Sequence, residues 1–470
     1  MQTRTDVTSG TALLAAIDAG QVVEIVAPDD PILWLAAAEV AAYSGRTDEA
    51  LEDIRRAGEM SPALRRRADC IRAELAIGDG DTATAEGLAY DVMASSVAHG
   101  DRTACVRARI AVARVKVRDG RYQSALQDLP RLRREIDADE DATPEMGVFR
   151  RAICDHLESY CRLKLGDSSA ALAGAHRAIG EFVRIGAGRW EGFARGVVGL
   201  ALLDRGDYDG AIREFERSET CAAALSLPSQ MLFARNNTAM ALMATGRVGD
   251  AATALRSSLQ IDTGTVADVQ CRLLLSLAMG TLGRASEART AARRAVELAD
   301  EIGHEETGGD GRILSAWLDG TADRVEQLRH RAEDRGRPFQ IRMCLVCLAD
   351  LQPASRPDHA EALLELAGTF TERADELSPL VDRIRARLAV TPIRLESDVL
   401  TIDLSNGLPK LDDAVNAVKR HLMARALDAA EGNQSRAADL IGMDRSRYHY
   451  QWRVLRGLDP RPVKRDETTE

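Results

Sequence analysis

Apolar side chains recur three and four positions apart through most of the chain, the rhythm of helices that bury one face. Leu200, Leu202 and Leu203, followed after a break by Ile212 and Phe215, show two such helices in succession. The break itself is stereotyped. A glycine, four residues and an alanine recur as Gly45/Ala50, Gly80/Ala85, Gly120/Ala125, Gly166/Ala171, Gly206/Ala211, Gly246/Ala251 and Gly283/Ala288. Successive alanines lie 35, 40, 46, 40, 40 and 37 residues apart, a period that marks stacked helical hairpins. The glycine is expected to end the first helix of each hairpin, where the chain turns through a left-handed conformation. The alanine falls where the second helix crosses the first too closely for a larger side chain. The fold expected is all-α: a helical-hairpin solenoid followed by a small C-terminal three-helix domain.

Trp34, Ala37, Ala38, Ala41, Ala50, Ile54, Ala57 and Pro62 define the first hairpin, and the turns Gly120-Arg-Tyr122 to Leu126 and Gly206-Asp-Tyr208 to Ile212 define two later ones. These residues resemble the tetratricopeptide repeat at its signature spacings. The resemblance covers roughly Pro31 to Gly303, with spacings mostly above that family's period of about 34 residues, so longer helices or looser loops are expected. A degenerate extension is expected to about Arg387, with Phe339–Leu351 and Asp358–Glu376 as a closing pair, so that the array spans 31–388. Residues 1–30 are expected to form a helical cap. Such an array implies either a protein-docking scaffold or a sensor whose concave face takes a peptide. Candidate groove residues on first helices are His156, Tyr160, Asn236, Asn237 and Met240. The adjacent asparagines can hydrogen-bond an extended peptide backbone; the plainer reading is a polar pair on a helix surface.

The stretch 389–409 contains Pro392, Asn406-Gly407, Pro409 and a β-prone run at Val399–Leu404, which predicts a linker with one short strand. The helical rhythm then returns. Leu411, Val415, Val418, Leu422 and Ala426 predict one amphipathic helix that stops near Gly432. Asn433 is placed to cap a short second helix through Ala437, Ala438 and Ile441, ended by Gly442, and Asp444 to cap a third. In that third helix Tyr448, Trp452 and Leu455 share the inward face, leaving Arg445, Ser446, Arg447, His449, Tyr450 and Arg453 outward. A short helix with arginines in its first turn fits the major groove, where a guanidinium donates two hydrogen bonds to guanine.

Gly432, Asn433, Ala437, Ala438, Gly442 and Arg445 stand at the spacing of the Fis-type helix-turn-helix. That module, placed here at 410–458, occurs in the nucleoid protein Fis and at the end of bacterial enhancer-binding activators. The purine-catabolism-type C-terminal domain shares part of the pattern. The Fis-type resemblance implies that Asn433, Gln434, Ser435 and Arg436 approach phosphates. It also implies that Arg445, Arg447, His449 and Tyr450 reach bases or flanking phosphates, and that the module acts as a dimer on paired half-sites. Tyr448 and Trp452 depart from the family's leucines, and His449-Tyr-Gln451 from its lysine-rich run, which lowers non-specific affinity. The end, 459–470, with Arg461, Lys464 and Arg465, is expected to be a flexible tail.

Charge changes the picture in one respect. The whole chain carries a net charge of −11, yet residues 410–470 hold 12 basic and 10 acidic residues, against 50 and 63 in the remainder. A mildly basic end on an acidic body is compatible with nucleic acid at that end. No apolar run approaches the roughly 18 residues of a membrane span, and no signal peptide opens the chain, so a cytoplasmic protein is expected, with no membrane partner. Of eight scattered cysteines only Cys344 and Cys347 form a C-x-x-C, with no second pair, which reads as buried small side chains and not as a metal site. No phosphate-binding G-x-x-x-x-G-K-[ST], H-E-x-x-H or G-x-S-x-G is present, so neither an enzyme nor a cofactor is expected. The reading is a bacterial, sequence-specific DNA-binding transcription regulator, a homodimer on double-stranded DNA. Its array senses or docks a protein or peptide. The alternative is a tetratricopeptide scaffold or adaptor whose helix-turn-helix no longer binds DNA.

Overall fold

The computed structural model describes residues 31–455 except 44–45, 262, 353–356, 371–374, 390–392, 397–398, 403–410 and 431. The expected cap, part of the linker, the tail and Gly45 lie outside the described residues. The chain forms two compact units, one of Met1–Leu242 with Thr253–Cys271 and one of Met243–Ala252 with Arg272–Glu470.

Among the described residues of the first unit the helical rhythm yields five hairpins in series. They are α1 (Pro31–Tyr43) with α2 (Thr47–Arg56), α3 (Pro62–Asp79) with α4 (Thr82–His99), and α5 (Arg102–Arg118) with α6 (Tyr122–Asp137). Then come α7 (Pro144–Lys164) with α8 (Ser168–Ile185), and α9 (Gly188–Asp204) with α10 (Tyr208–Ala224). Consecutive helices pack together, and the first helices α1, α3, α5, α7 and α9 also pack on one another in order. Helices α11 (Pro228–Ala244), α12 (Val248–Ser258) and α13 (Val266–Thr281) hold the division between the units.

The repeated glycine and alanine do what their chemistry allows. Gly166 and Gly206 turn at φ +86° and +79°, a conformation that a Cβ would strain. The same turn recurs at Gly80, Gly120, Gly246 and Gly283. All seven alanines are fully buried. After several of these turns an aspartate starts the next helix: Asp81, Asp167 and Asp207 accept the backbone N–H of Thr84, Ala170 and Gly210 at 3.0, 3.0 and 2.9 Å. A Gly-Asp dipeptide therefore closes one helix and opens its partner.

Two buried carboxylates tie hairpins together. Glu39 on α1, 2 % exposed, meets Arg67 of α3 and Arg107 of α5. Asp139 accepts from Arg150 of α7 at 2.7 Å and from Thr103 of α5 at 3.0 Å. Removing one partner from such a pair leaves a buried charge uncompensated, which costs about 3–5 kcal/mol.

The second unit continues the hairpins past the limit of the clear repeat. Helix α14 (Ala285–Glu301) packs on α15 (Glu305–Leu318), which is followed by α16 (Ala322–Asp334), α17 (Pro338–Leu351), α18 (Pro357–Gly368) and α19 (Ser378–Ala389). Asp350 gathers this end, accepting from Trp317 Nε1 at 2.9 Å and Arg383 Nη2 at 2.7 Å. Cys344 and Cys347 are buried on α17, and burial pushes the Cys344 thiol up to about 12 and that of Cys347 up as well.

The expected single strand is instead a two-stranded antiparallel hairpin, β1 (Ile393–Glu396) with β2 (Val399–Ile402), Ile393 opposite Ile402. A lone strand leaves its backbone groups unpaired, and Ile393–Glu396 supplies the missing ladder. Three helices follow, one long and two short: α20 (Leu411–Ala429), α21 (Gln434–Leu440) and α22 (Arg445–Leu455), each packed on the other two. Among the described residues no helix is long and apolar enough to cross a membrane. The architecture is an all-α array of helical hairpins with a small three-helix module.

Candidate functional sites

The three-helix module is organised by local capping and one long-range hydrogen bond. Asn433 Oδ1 accepts the N–H groups of Ser435 and Arg436 at 3.1 and 3.2 Å, opening α21. Gly442, at φ +67°, makes the tight turn, with Met443 N–H donating to Ala438 O at 2.9 Å. Asp444 Oδ1 then accepts from Ser446 and Arg447 N–H at 2.8 and 3.2 Å, opening α22. Tyr448, fully buried, donates its hydroxyl to Met423 O at 2.7 Å and stacks on Trp452 with ring centroids 6.2 Å apart. These contacts fix α22 against α20 and α21.

Outward from that core stand Arg445, Ser446, Arg447, His449 and Tyr450, all exposed. His449 Nδ1 pairs with Gln434 Oε1 at 2.8 Å, joining the two helices across the turn. Asn433 and Arg436 are exposed, whereas Ser435 and Arg453 are partly buried. The expected stripe on the first helix needs correction. Val415 and Leu422 are 40 % and 53 % exposed, and the buried positions are Met423, Ala426 and Ala430, with Leu427 packed beside them. Ala426 of the expected stripe is buried and Val418 half-buried, and Met423 takes the inward place expected of Leu422. The side chain of Leu411 lies outside the described residues.

In the first unit His156 and Tyr160 lie on α7 beside Trp190 and Phe193 of α9. The His156 ring meets Trp190 edge-on at 5.9 Å and Phe193 at 6.5 Å, and Tyr160 meets Tyr122 at 6.4 Å. Burial, with Arg114 nearby, pushes His156 down to about 4, so it is neutral at physiological pH. The asparagine pair separates into two roles. Asn236 is 2 % exposed and donates its amide to Ala267 O at 2.9 Å, a tie between α11 and the start of α13. Asn237 and Met240 are partly buried. Arg114 and Trp190 do not stand out from the helical pattern, although a tryptophan is conspicuous in a chain with only four.

No protein-family model matches the chain, and no curated protein matches it. Solved structures do match. A Rap protein complexed with Competence and Sporulation Factor is 12% identical, with 76% of this chain and 99% of that one covered and a TM-score of 0.55. The Rap conjugation gene regulator of the plasmid pLS20, in complex with the Phr* peptide, is 13% identical, with 82% and 99% covered and a TM-score of 0.50. The class these likenesses define, with the hairpins described above, is a tetratricopeptide-like helical-repeat protein.

Proposed function

We propose that this chain is a sequence-specific DNA-binding transcription regulator, with α20–α22 as a Fis-type helix-turn-helix and the hairpins as a docking array for a protein or peptide. The observation that carries this reading is α22 itself. It is a short helix capped by Asp444 and anchored by Tyr448, and it presents Arg445, Ser446, Arg447, His449 and Tyr450 together on one open side. A rigid helix with two arginines in its first turn meets the geometric demand of major-groove readout. The acidic remainder of the chain disfavours phosphate, so DNA contact is assigned to this module. Action as a homodimer on paired half-sites belongs to the same reading, and no catalytic step does. Docking of a peptide is supported by the two fold neighbours, each of which is described in complex with a signalling factor or peptide.

The test is a gel shift of the full chain on genomic fragments across a salt series. Specific binding that weakens steeply with salt, as several phosphate contacts demand, is expected. Absence of any shift at low salt removes the regulator reading and leaves the adaptor.

A further inference from the structure

The bond between His449 and Gln434 does more than join α21 to α22. Gln434 Oε1 is an amide oxygen and can only accept, so the ring Nδ1, 2.8 Å away, carries the hydrogen. In a neutral imidazole one nitrogen donates and the other accepts, and the partner of one sets the role of the other. Nε2 of His449 is thereby left as an acceptor. Among the described residues it meets no donor, and the side chain is exposed. Its place is fixed from both sides. Tyr448, the preceding residue, is fully buried with its hydroxyl on Met423 O, and Gln434 follows directly on the Asn433 cap. His449 stands four residues after Arg445, one helical turn along the same outward face. The two side chains carry opposite chemistry. A guanidinium has N–H donors and no acceptor, whereas this ring offers a lone pair.

In the major groove guanine and thymine hydrogen-bond only as acceptors, and donors come from the N6 amine of adenine and the N4 amine of cytosine. We infer that His449 reads such an exocyclic amine, one turn of α22 away from the base met by Arg445, and that Gln434 is the positioning residue that holds the ring in its accepting form. The Gln434 amide keeps its own hydrogens for a phosphate, so one side chain both anchors to the DNA backbone and orients the reader. The inference rests on the DNA-binding role proposed above and adds the chemistry of one position in the site.

The experiment selects duplexes for the full-length protein from a randomised pool, then repeats the selection with His449→Ala. The base pair at which the variant loses its preference is the one that His449 reads. In titrations on the selected duplex, the amine of that pair is removed by placing purine for adenine or 2-pyrimidinone for cytosine. The deletion should weaken wild-type binding about tenfold and leave that of His449→Ala unchanged. Removing the purine N7 of the same pair, with 7-deazaadenine or 7-deazaguanine, should cost the wild type no more than it costs the variant. Gln434→Met should lose most of the preference for the amine. Gln434→Glu, which again offers the Nδ1 hydrogen an oxygen, should restore it at a lower overall affinity, because its charge repels phosphate. A wild-type penalty that follows N7 and not the amine overturns the inference, as does a Gln434→Met that keeps the full preference. A selection unchanged by His449→Ala overturns it too, and the regulator reading survives all three results. Failure of the wild type to select any sequence overturns that reading as well.

Discussion

Arg445 and Arg447 are the side chains on which base readout should depend. Their backbone is held by the Asp444 cap and by the Tyr448 hydroxyl, neither of which involves a guanidinium. Arg445→Ala or Arg447→Ala should therefore weaken specific DNA binding by about 1–3 kcal/mol each and leave circular dichroism unchanged. Unaltered affinity in both variants would show that α22 is not the reader. Tyr448→Phe should do the reverse, lowering the stability of the module by about 1 kcal/mol in denaturant unfolding through loss of the bond to Met423 O. At this scale the sequence is legible where the chemistry is local. Asn433 and Asp444 were expected as caps because a cap's partner lies two or three residues away. The acceptor of Tyr448 lies 25 residues back. Asn236 was ambiguous for the same reason, since only the carbonyl of Ala267 shows its amide to be engaged within the fold.

Helix pairs are governed by how closely their surfaces approach. A Cβ placed on Gly199 of α9 would lie 2.4 Å from Phe215 of α10, whereas one on Gly196 of the same helix would touch nothing within 4 Å. Gly199→Ala should thus destabilise the first unit by about 1–3 kcal/mol. Gly196→Ala should be neutral or stabilise it by up to about 1 kcal/mol. Thermal unfolding of the two variants separates close packing from helix propensity, and equal shifts would dismiss the close contact. Turn glycines and crossing alanines were readable because each acts within one hairpin. The hairpins beyond residue 303 were harder to see, since Gly308, Gly309 and Gly311 blunt the helical pattern of α15. The cause is packing: a Cβ on Gly311 would lie 2.7 Å from Val296. On α20 the apolar rhythm placed Ala426 inside but chose Leu422 over Met423, because periodicity shows a face exists without showing where its neighbours are.

Across the whole molecule the two units should answer acid in opposite directions. His156, in the first unit, is pushed down to about 4 by burial and Arg114, below its ordinary value of 6.5. The unfolded chain then binds the extra proton, so this contribution is present above about pH 6.5 and is lost as pH falls toward 4. Asp310 and Glu376, in the second unit, are both raised to about 7, chiefly by burial. There the folded state holds the extra protons, so the contribution is full below the ordinary carboxylate range and is lost as pH rises through 7. Between about pH 7.5 and about pH 5.5, each group should shift its own unit by on the order of 1 kcal/mol. Hydrogen exchange, corrected for intrinsic rates, should show α7 loosening and α15 tightening on acidification, and parallel changes in both would refute the assignment. One further consequence concerns birth rather than equilibrium. Glu39 meets Arg67 and Arg107, which follow it by 28 and 68 residues. As the chain leaves the ribosome, the first hairpin is complete in sequence well before its second arginine exists. Until then closure would entomb an acid only half answered. The opening hairpins should therefore lock as a group, once the third has been made, and not one by one in order of synthesis.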